Sequence, residues 1–423
     1  MSSERNTLFF QGVASDPPPF SEVLTRAVVA KASDIILRRN LPIMFKVGGT
    51  WYRFSDEPLE QVDGYVEHIG RVLFGGEGDL LARLQQEGDI DLSFALPTGE
   101  RFRTNLSMTS EGPLIICRVI RSEAVPLQNL GFSEASVRAI LGALRRKRGL
   151  VLVVGTTGSG KSTTLAAMID WLNKNTSSNI VTIEDPIEYV FISGRSVIHQ
   201  REVETHTRSF ARALKSALRQ APDVIMVGEM RDVETIKSVI TAAETGHLVF
   251  STLHTKSAPE TVTRIIDAMP PEDRSLVRQQ LAYSLNLVIA QKLVPSLAGG
   301  VSLAYELFVM TDAIRSSIMR GENTLVSSIK DAMFSGANQG MQILEQSLLA
   351  LVQGGVVAPE VALAYANEPR EIEERLNVEF AHQRPGLLQG GTEPPSGASG
   401  GSSSQGVLKW TNLFGDAKGG EEG

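Results

Sequence analysis

The sequence predicts an α/β protein in which a mixed α/β domain precedes a parallel-sheet domain. Three observations lead there. A glycine-rich stretch, GTTGSGKS at Gly155–Ser162, stands between an apolar run, Leu150 to Val154, and a helical pattern from Ser162 through Leu172. Around it, the apolar runs LVLVVG, NIVTIE, DVIMVGE and HLVFSTL alternate with helical ones, as in a βαβ-type sheet. Upstream, short strand-like runs are separated by Gly, Pro and Asp turns, as in an antiparallel sheet.

Residues 1–19 end in SDPPP and are expected to be flexible. The first domain spans 20–121. FSEVLTRAVVAKA reads as an amphipathic helix, and DIILRR, PIMFKVGGTWYRF, DIDLSFAL, ERFRTNLSM and LIICRVI read as strands. An antiparallel sheet with helices on one side accommodates them. Residues 122–132, SEAVPLQNLGF, are punctuated by Pro126 and Gly131 and read as a linker. The second domain, 133–378, opens with the helix SEASVRAILGALRRK, then carries the alternating pattern. Helical patterns dominate from Pro259 to about Leu376. Residues 379–423 are rich in Gly, Ser, Pro and Gln and are expected to be disordered. VLKWTNLF (407–414) is an apolar island there, either a docking motif or simply a few apolar residues in a tail.

With 423 residues and 42% hydrophobic content, two or three domains with real cores are expected. The net charge of −7 gives no global attraction to DNA or anionic lipid, which argues against a DNA-translocating motor. The single cysteine, Cys117, lies in an apolar run, so neither a disulfide framework nor a Cys₄ metal site is available. The N-terminus does not read as a signal peptide, and no apolar run is long enough to span a bilayer. A cytoplasmic protein is expected.

The glycine-rich stretch fits G-x-x-x-x-G-K-[ST]. Gly155, Gly158 and Gly160 let the backbone turn tightly and aim several N–H groups at one anion. The helix N-terminus adds roughly half a positive charge at the same spot. Lys161 would reach the β- and γ-phosphates, and the Ser162 hydroxyl would ligate Mg²⁺. The candidate nucleotide-binding set is Gly155, Thr156, Thr157, Gly158, Ser159, Gly160, Lys161, Ser162 and Thr163.

In PDVIMVGEMRD (222–232) an apolar strand ends in Glu229, with Gly228 where many P-loop ATPases carry a Mg-positioning Asp. Glu229 is therefore read as the group that orients or deprotonates the attacking water. NIVTIEDPIEY (179–189) ends another strand and offers Glu184, Asp185 and Glu188 to help hold the metal and its waters. His247 and His254 flank the strand in TAAETGHLVFSTLHT (241–255), about 23 Å apart on an extended chain, so they cannot share a metal. One of them can sense the γ-phosphate, or both are structural. Arg101, Arg103 and Arg118 lie on first-domain strands. They read either as a solvated face or as guanidinium groups delivered to transition-state charge across a domain or subunit boundary. RRKR (145–148) reads as a helix end favoured by the helix dipole rather than a nucleic-acid contact.

Together these stretches resemble the secretion-type ATPase superfamily that powers type IV pili and type II secretion. Within it they are most similar to the pilus retraction (twitching motility) ATPases of the PilT/PilU type, over roughly residues 20–378. GTTGSGKSTTLAAM resembles the family's Walker A, and TIEDPIEY its Asp box. QREV (200–203) and LRQAPDVIMVGEMRD resemble the approach to its atypical Walker B, and AAETGHLVFSTLHT its His box. AIRSSIMRG (313–321) resembles the retraction-specific AIRNLIRE-type motif, with Ser316, Ser317 and Met319 departing from it. GMQILEQSL (340–348) resembles the GMQTL segment.

The resemblance implies an N-terminal PAS-like α/β domain followed by a RecA-like P-loop ATPase domain with a helical C-terminal part. It implies ATP and Mg²⁺ as cofactors, with Ser162 and Glu184 at the metal. It makes Glu229 the catalytic glutamate, assisted by Glu184, and places His254 and His247 in the His box. Arg103 and Arg118, fifteen residues apart, have the spacing of the family's arginine fingers. A homohexamer is implied, each nucleotide site lying between the two domains of one subunit. The ring would act at the cytoplasmic face of the inner membrane on a pilus platform protein. A paralogous retraction ATPase is a further partner. Nucleic acid is not, and membrane contact comes only through partners. One cysteine excludes the tetracysteine zinc element of the extension motors. The segment after Ala366-Asn367, LRQAPDVIM and QKLVP (291–295) look nearer to the accessory PilU-like paralogues. The expected function is ATP-driven pilus retraction. The alternatives are a secretion-system ATPase of the same superfamily and a non-hydrolysing partner of an active paralogue.

Overall fold

The computed structural model describes residues 18–382 apart from 75–78, 97, 121–123, 204 and 322–323. Most of the N-terminal stretch expected to be flexible, and the tail from residue 383 with its apolar island, lie outside the described residues.

The first elements are α1 (Phe20–Val29), β1 (Asp34–Arg38), β2 (Met44–Val47), β3 (Thr50–Arg53), α2 (Asp63–Phe74), α3 (Leu80–Glu87), β4 (Asp89–Ala95), β5 (Arg101–Thr109) and β6 (Gly112–Ile120). The strands form one antiparallel sheet in the order β3-β2-β1-β6-β5-β4. Burial alternates along β5 and β6, because successive side chains on a strand point to opposite faces. Phe102, Leu106, Ile115 and Cys117 pack in one core with Val23 and Leu24 of α1 and Leu84 of α3. Burial pushes the Cys117 thiol up to about 12, and Thr104 donates a hydrogen bond to it, so this cysteine is inert core. Helices α2 and α3 are additions to the elements expected from the sequence.

After a short 3₁₀ turn (Leu127–Asn129) come α4 (Glu134–Leu144), β7 (Gly149–Val154), α5 (Lys161–Asn175), β8 (Asn179–Glu184), β9 (Val197–Glu202), α6 (Phe210–Ala217), β10 (Val224–Val227), α7 (Val233–Glu244) and β11 (Leu248–Leu253). Then follow α8 (Ala258–Asp267), α9 (Arg274–Ser284), β12 (Leu285–Pro295), β13 (Val301–Val309), α10 (Asp312–Arg320), α11 (Leu325–Ser335), α12 (Leu344–Gln353), α13 (Pro359–Tyr365) and α14 (Pro369–His382). The second sheet runs β13-β12-β7-β11-β10-β8-β9, parallel except for the β12–β13 hairpin. Every residue of β7 is buried. Leu150, Leu152 and Val154 enter one core and Val151 and Val153 the other, as expected of a strand covered on both faces.

The β12–β13 hairpin is an addition within 259–376, where helical patterns are expected to dominate and helices α8–α13 lie. Its run LNLVIAQKLV follows a helix directly, and an apolar run has no period that separates strand from buried helix. The signal was the turn, where Gly299 and Gly300 hold φ at +86° and +74°. By compactness the chain divides into Met1–Glu374, which holds both sheets, and Arg375–Gly423. No helix among the described residues is long and apolar enough to cross a membrane.

Candidate active site

The site lies at the carboxyl ends of β7, β8, β10 and β11, where loops leave a parallel sheet and helix N-termini arrive. From β7 the chain turns through Gly155, Thr156, Thr157, Gly158, Ser159 and Gly160 into α5. Gly155, Gly158 and Gly160 have φ of +146°, +80° and +90°. At Gly155 a Cβ would also lie 2.5 Å from the Gln291 carbonyl oxygen and from Ser159 Oγ. Lys161, Ser162 and Thr163 open the helix, and the Thr163 hydroxyl shares a hydrogen bond with that of Tyr189 at 3.1 Å. The Lys161 ammonium donates to the carbonyls of Gly155 and Thr156 at 2.9 and 3.0 Å. Burial pulls its pKa down, while Glu229 and Glu188 draw it back up.

Glu184 ends β8 and is 7% exposed. Burial pushes its carboxyl up to about 7, against hydrogen bonds donated by the Thr182 hydroxyl at 2.7 Å and the Gln200 amide at 3.1 Å. Glu229 stands two residues past β10. A Cβ on the intervening Gly228 would come within 3.3 Å of the Ile183 carbonyl and 3.5 Å of Glu184 Cα. A side chain there would press on the strand end that carries Glu184.

Both oxygens of Glu229 face nitrogen-bearing side chains. Arg231 Nη2 lies 2.6 Å from one, and His254 Nε2 3.5 Å from the other. Arg231 also lies 3.8 Å from Asp185, and its pKa is raised chiefly by the hydrogen bond to Glu229. His254 thus belongs to the cleft. His247, at the far end of β11, has its Nδ1 3.0 Å from the Ala242 carbonyl and serves the helix end instead.

Arg118 reaches this cleft from the antiparallel sheet. It lines the same space, about 660 Å³, as Lys161, Ser162, Glu184, Glu229 and His254. Arg103 lies directly opposite Arg118 in the β5–β6 register, but it lines an adjoining space of about 190 Å³ beside Glu188 and Tyr189. A larger cavity of about 820 Å³ lies on the other side of the glycine-rich turn, lined by Lys256, Lys292, Lys330 and Glu306. There Glu306 accepts from the Ala258 N–H and the Asn367 amide.

Among the described residues no group of three or more His, Cys, Asp or Glu could hold a metal ion. Ser162 and Glu184 offer one hydroxyl and one carboxylate in the same cleft. That fits Mg²⁺, which keeps several waters and takes phosphate oxygens from its nucleotide.

Sequence reasoning missed Arg231, Gln200, Tyr189 and Gln291. Gln291 is 2% exposed on β12 and donates to the Thr164 hydroxyl at 2.8 Å, tying α5 to the sheet. The one signal within reach was Arg231, two residues after Glu229 in GEMRD.

Residues 17–302 match the family model described as type II/IV secretion system protein. The chain is 41% identical to the type IV pilus retraction ATPase PilT of Pseudomonas aeruginosa over 350 residues, covering 82% of this chain and 98% of that one. Against the type IV pilus ATPase PilU of the same organism, identity is 36% over 355 residues, covering 83% and 90%. These two identities run opposite to the wording that looks nearer to PilU. A crystal structure of the pilus retraction motor PilT with bound ADP superposes with a TM-score of 0.75 at 38% identity, covering 84% of this chain and 99% of that one.

Proposed function

The chain belongs to the type II/IV secretion system protein family, and on that footing we propose that it is an ATPase that drives type IV pilus retraction. The observation that carries the reading is the meeting, in one cleft, of a phosphate-gripping turn, two glutamates and an arginine from the other sheet.

The geometry supports a role for each residue. Backbone N–H groups of Gly155–Lys161 and the α5 dipole hold the phosphates. Lys161 exchanges its two loop carbonyls for β- and γ-phosphate oxygens. Ser162 and Glu184 would hold Mg²⁺, which when bound would neutralise phosphate charge. Glu229 orients the attacking water and takes its proton, which requires Arg231 to release one carboxylate oxygen. Arg118 and Arg103 meet the charge that develops on the γ-phosphoryl.

Hydrolysis becomes motion because these arginines and the phosphate turn sit on different sheets. A bound triphosphate favours the closed cleft. Its loss removes that differential contact and lets the cleft open. We divide the chain for this purpose at residues 122–132, with 20–121 as the moving domain and 133–378 as the ATPase domain. The assembly is a homohexamer at the cytoplasmic face of the inner membrane, pushing on a pilus platform protein and working beside a paralogous ATPase.

The test is Glu229→Gln. The variant should bind ATP with near-native affinity and assemble, while phosphate release falls at least about 100-fold. Turnover within a few-fold of wild type removes Glu229 from its role.

A further inference from the structure

One row of side chains crosses the outer face of the antiparallel sheet. Lys46 on β2, Asp34 on β1, Arg118 on β6, Arg103 on β5 and Ser93 on β4 are successive register partners. Directly opposed residues share a face and lie within side-chain reach. Three of these are cations, and Asp34 is the single acid. Arg118 and Arg103, opposed and of like charge, repel each other.

The row is held at Asp34. Arg118 Nε donates to Asp34 Oδ1 at 2.9 Å, and the Ser33 hydroxyl donates to Oδ2 at 2.9 Å. Both carboxylate oxygens are therefore engaged. The Asp34 side chain is 11% exposed and that of Arg118 67%. Lys46 does not compete on equal terms, because its ammonium lies over the Trp51 ring, 5.5 Å from the centroid. Bonding through Nε also leaves both Nη groups of Arg118 for a phosphate.

We propose that Asp34 is a positioning residue for the nucleotide cleft: it fixes the direction in which Arg118 presents its guanidinium. An exposed arginine has many rotamers to lose when it is fixed in one direction. A nearly buried, two-point-anchored carboxylate removes much of that freedom before nucleotide arrives, and it offsets the repulsion from Arg103. Asp34 touches neither nucleotide nor reacting atoms and acts only through Arg118. The inference rests on Arg118 serving hydrolysis, as proposed above.

The experiment is a double-mutant cycle on the full chain at concentrations where it assembles, with wild type, Asp34→Asn, Arg118→Ala and the double variant. Phosphate release gives kcat, a fluorescent ATP analogue gives Kd, and a melting curve reports folding. Asp34→Asn should lower kcat about tenfold with Kd within about twofold. In the Arg118→Ala background it should lower kcat no further. An equal loss in both backgrounds would mean damage to the sheet and overturns the proposal, as does an unchanged kcat in the single variant. If Asp34→Asn melts early, Asp34→Glu keeps the charge while displacing it, and the same cycle is read from that variant. If Arg118→Ala is slow and Asp34→Asn is fast, this inference alone fails. If Arg118→Ala turns over like wild type, the reading of Arg118 fails and takes this inference with it.

Discussion

The two sheets contribute to one cleft by opposite means. In the parallel sheet β7 is buried at every position, and the chemistry sits where the strands stop, at Gly155, Glu184, Glu229 and His254. In the antiparallel sheet β5 and β6 alternate, one face building a core and the other carrying Arg103 and Arg118 within the strands, beside Asp34 at the start of β1. A strand covered on both faces can offer function only at its ends. A strand covered on one face can offer it along its length. On the proposed reading, the first arrangement grips a phosphate rigidly and the second presents charge from a surface that approaches and withdraws.

The largest expected effect tests the gripping sheet. Lys161→Ala should abolish detectable turnover and weaken ATP binding at least about 100-fold, measured by titration with a fluorescent analogue. Next comes the presenting sheet. Arg118→Ala should lower kcat by roughly 10²–10³ with little change in Kd, because its charge matters where the transition state develops. Arg103→Ala, from the adjoining space, should cost less. If Arg118→Ala weakened nucleotide binding as much as Lys161→Ala, the division of labour between the sheets would be wrong.

The smallest effect concerns Glu184. Its folded pKa, about 7, lies above the 4.5 that is ordinary for a glutamate. Between those values the folded state holds a proton that the unfolded state releases. Stability contributed at this position therefore falls as pH rises through that window. Glu184→Gln should consequently gain thermal stability over wild type as pH rises from about 4.5 to about 8, by on the order of 1–3 kcal/mol. Its accepting oxygen can keep the bonds from Thr182 and Gln200. A melting-temperature difference that stays flat across that range would contradict burial as the cause.

The same contrast governs how much of the molecule is legible in its sequence. The glycine-rich turn and the acid at each strand end are legible because local spacing encodes them. The antiparallel strands are legible from alternation and turns. The β12–β13 hairpin is not, since its apolar run carries no period of its own. The partnerships are also hidden. Asp34 and Arg118 are far apart in sequence, and Gln291 meets Thr164 only because β12 lies beside β7. Arg231 sits within a recognised stretch, but its bond to Glu229 depends on how the loop turns back.

At Gly155 the main chain of β12 and a serine hydroxyl occupy the volume where any other residue would begin. Any side chain there collides with that main chain before binding or turnover is at stake.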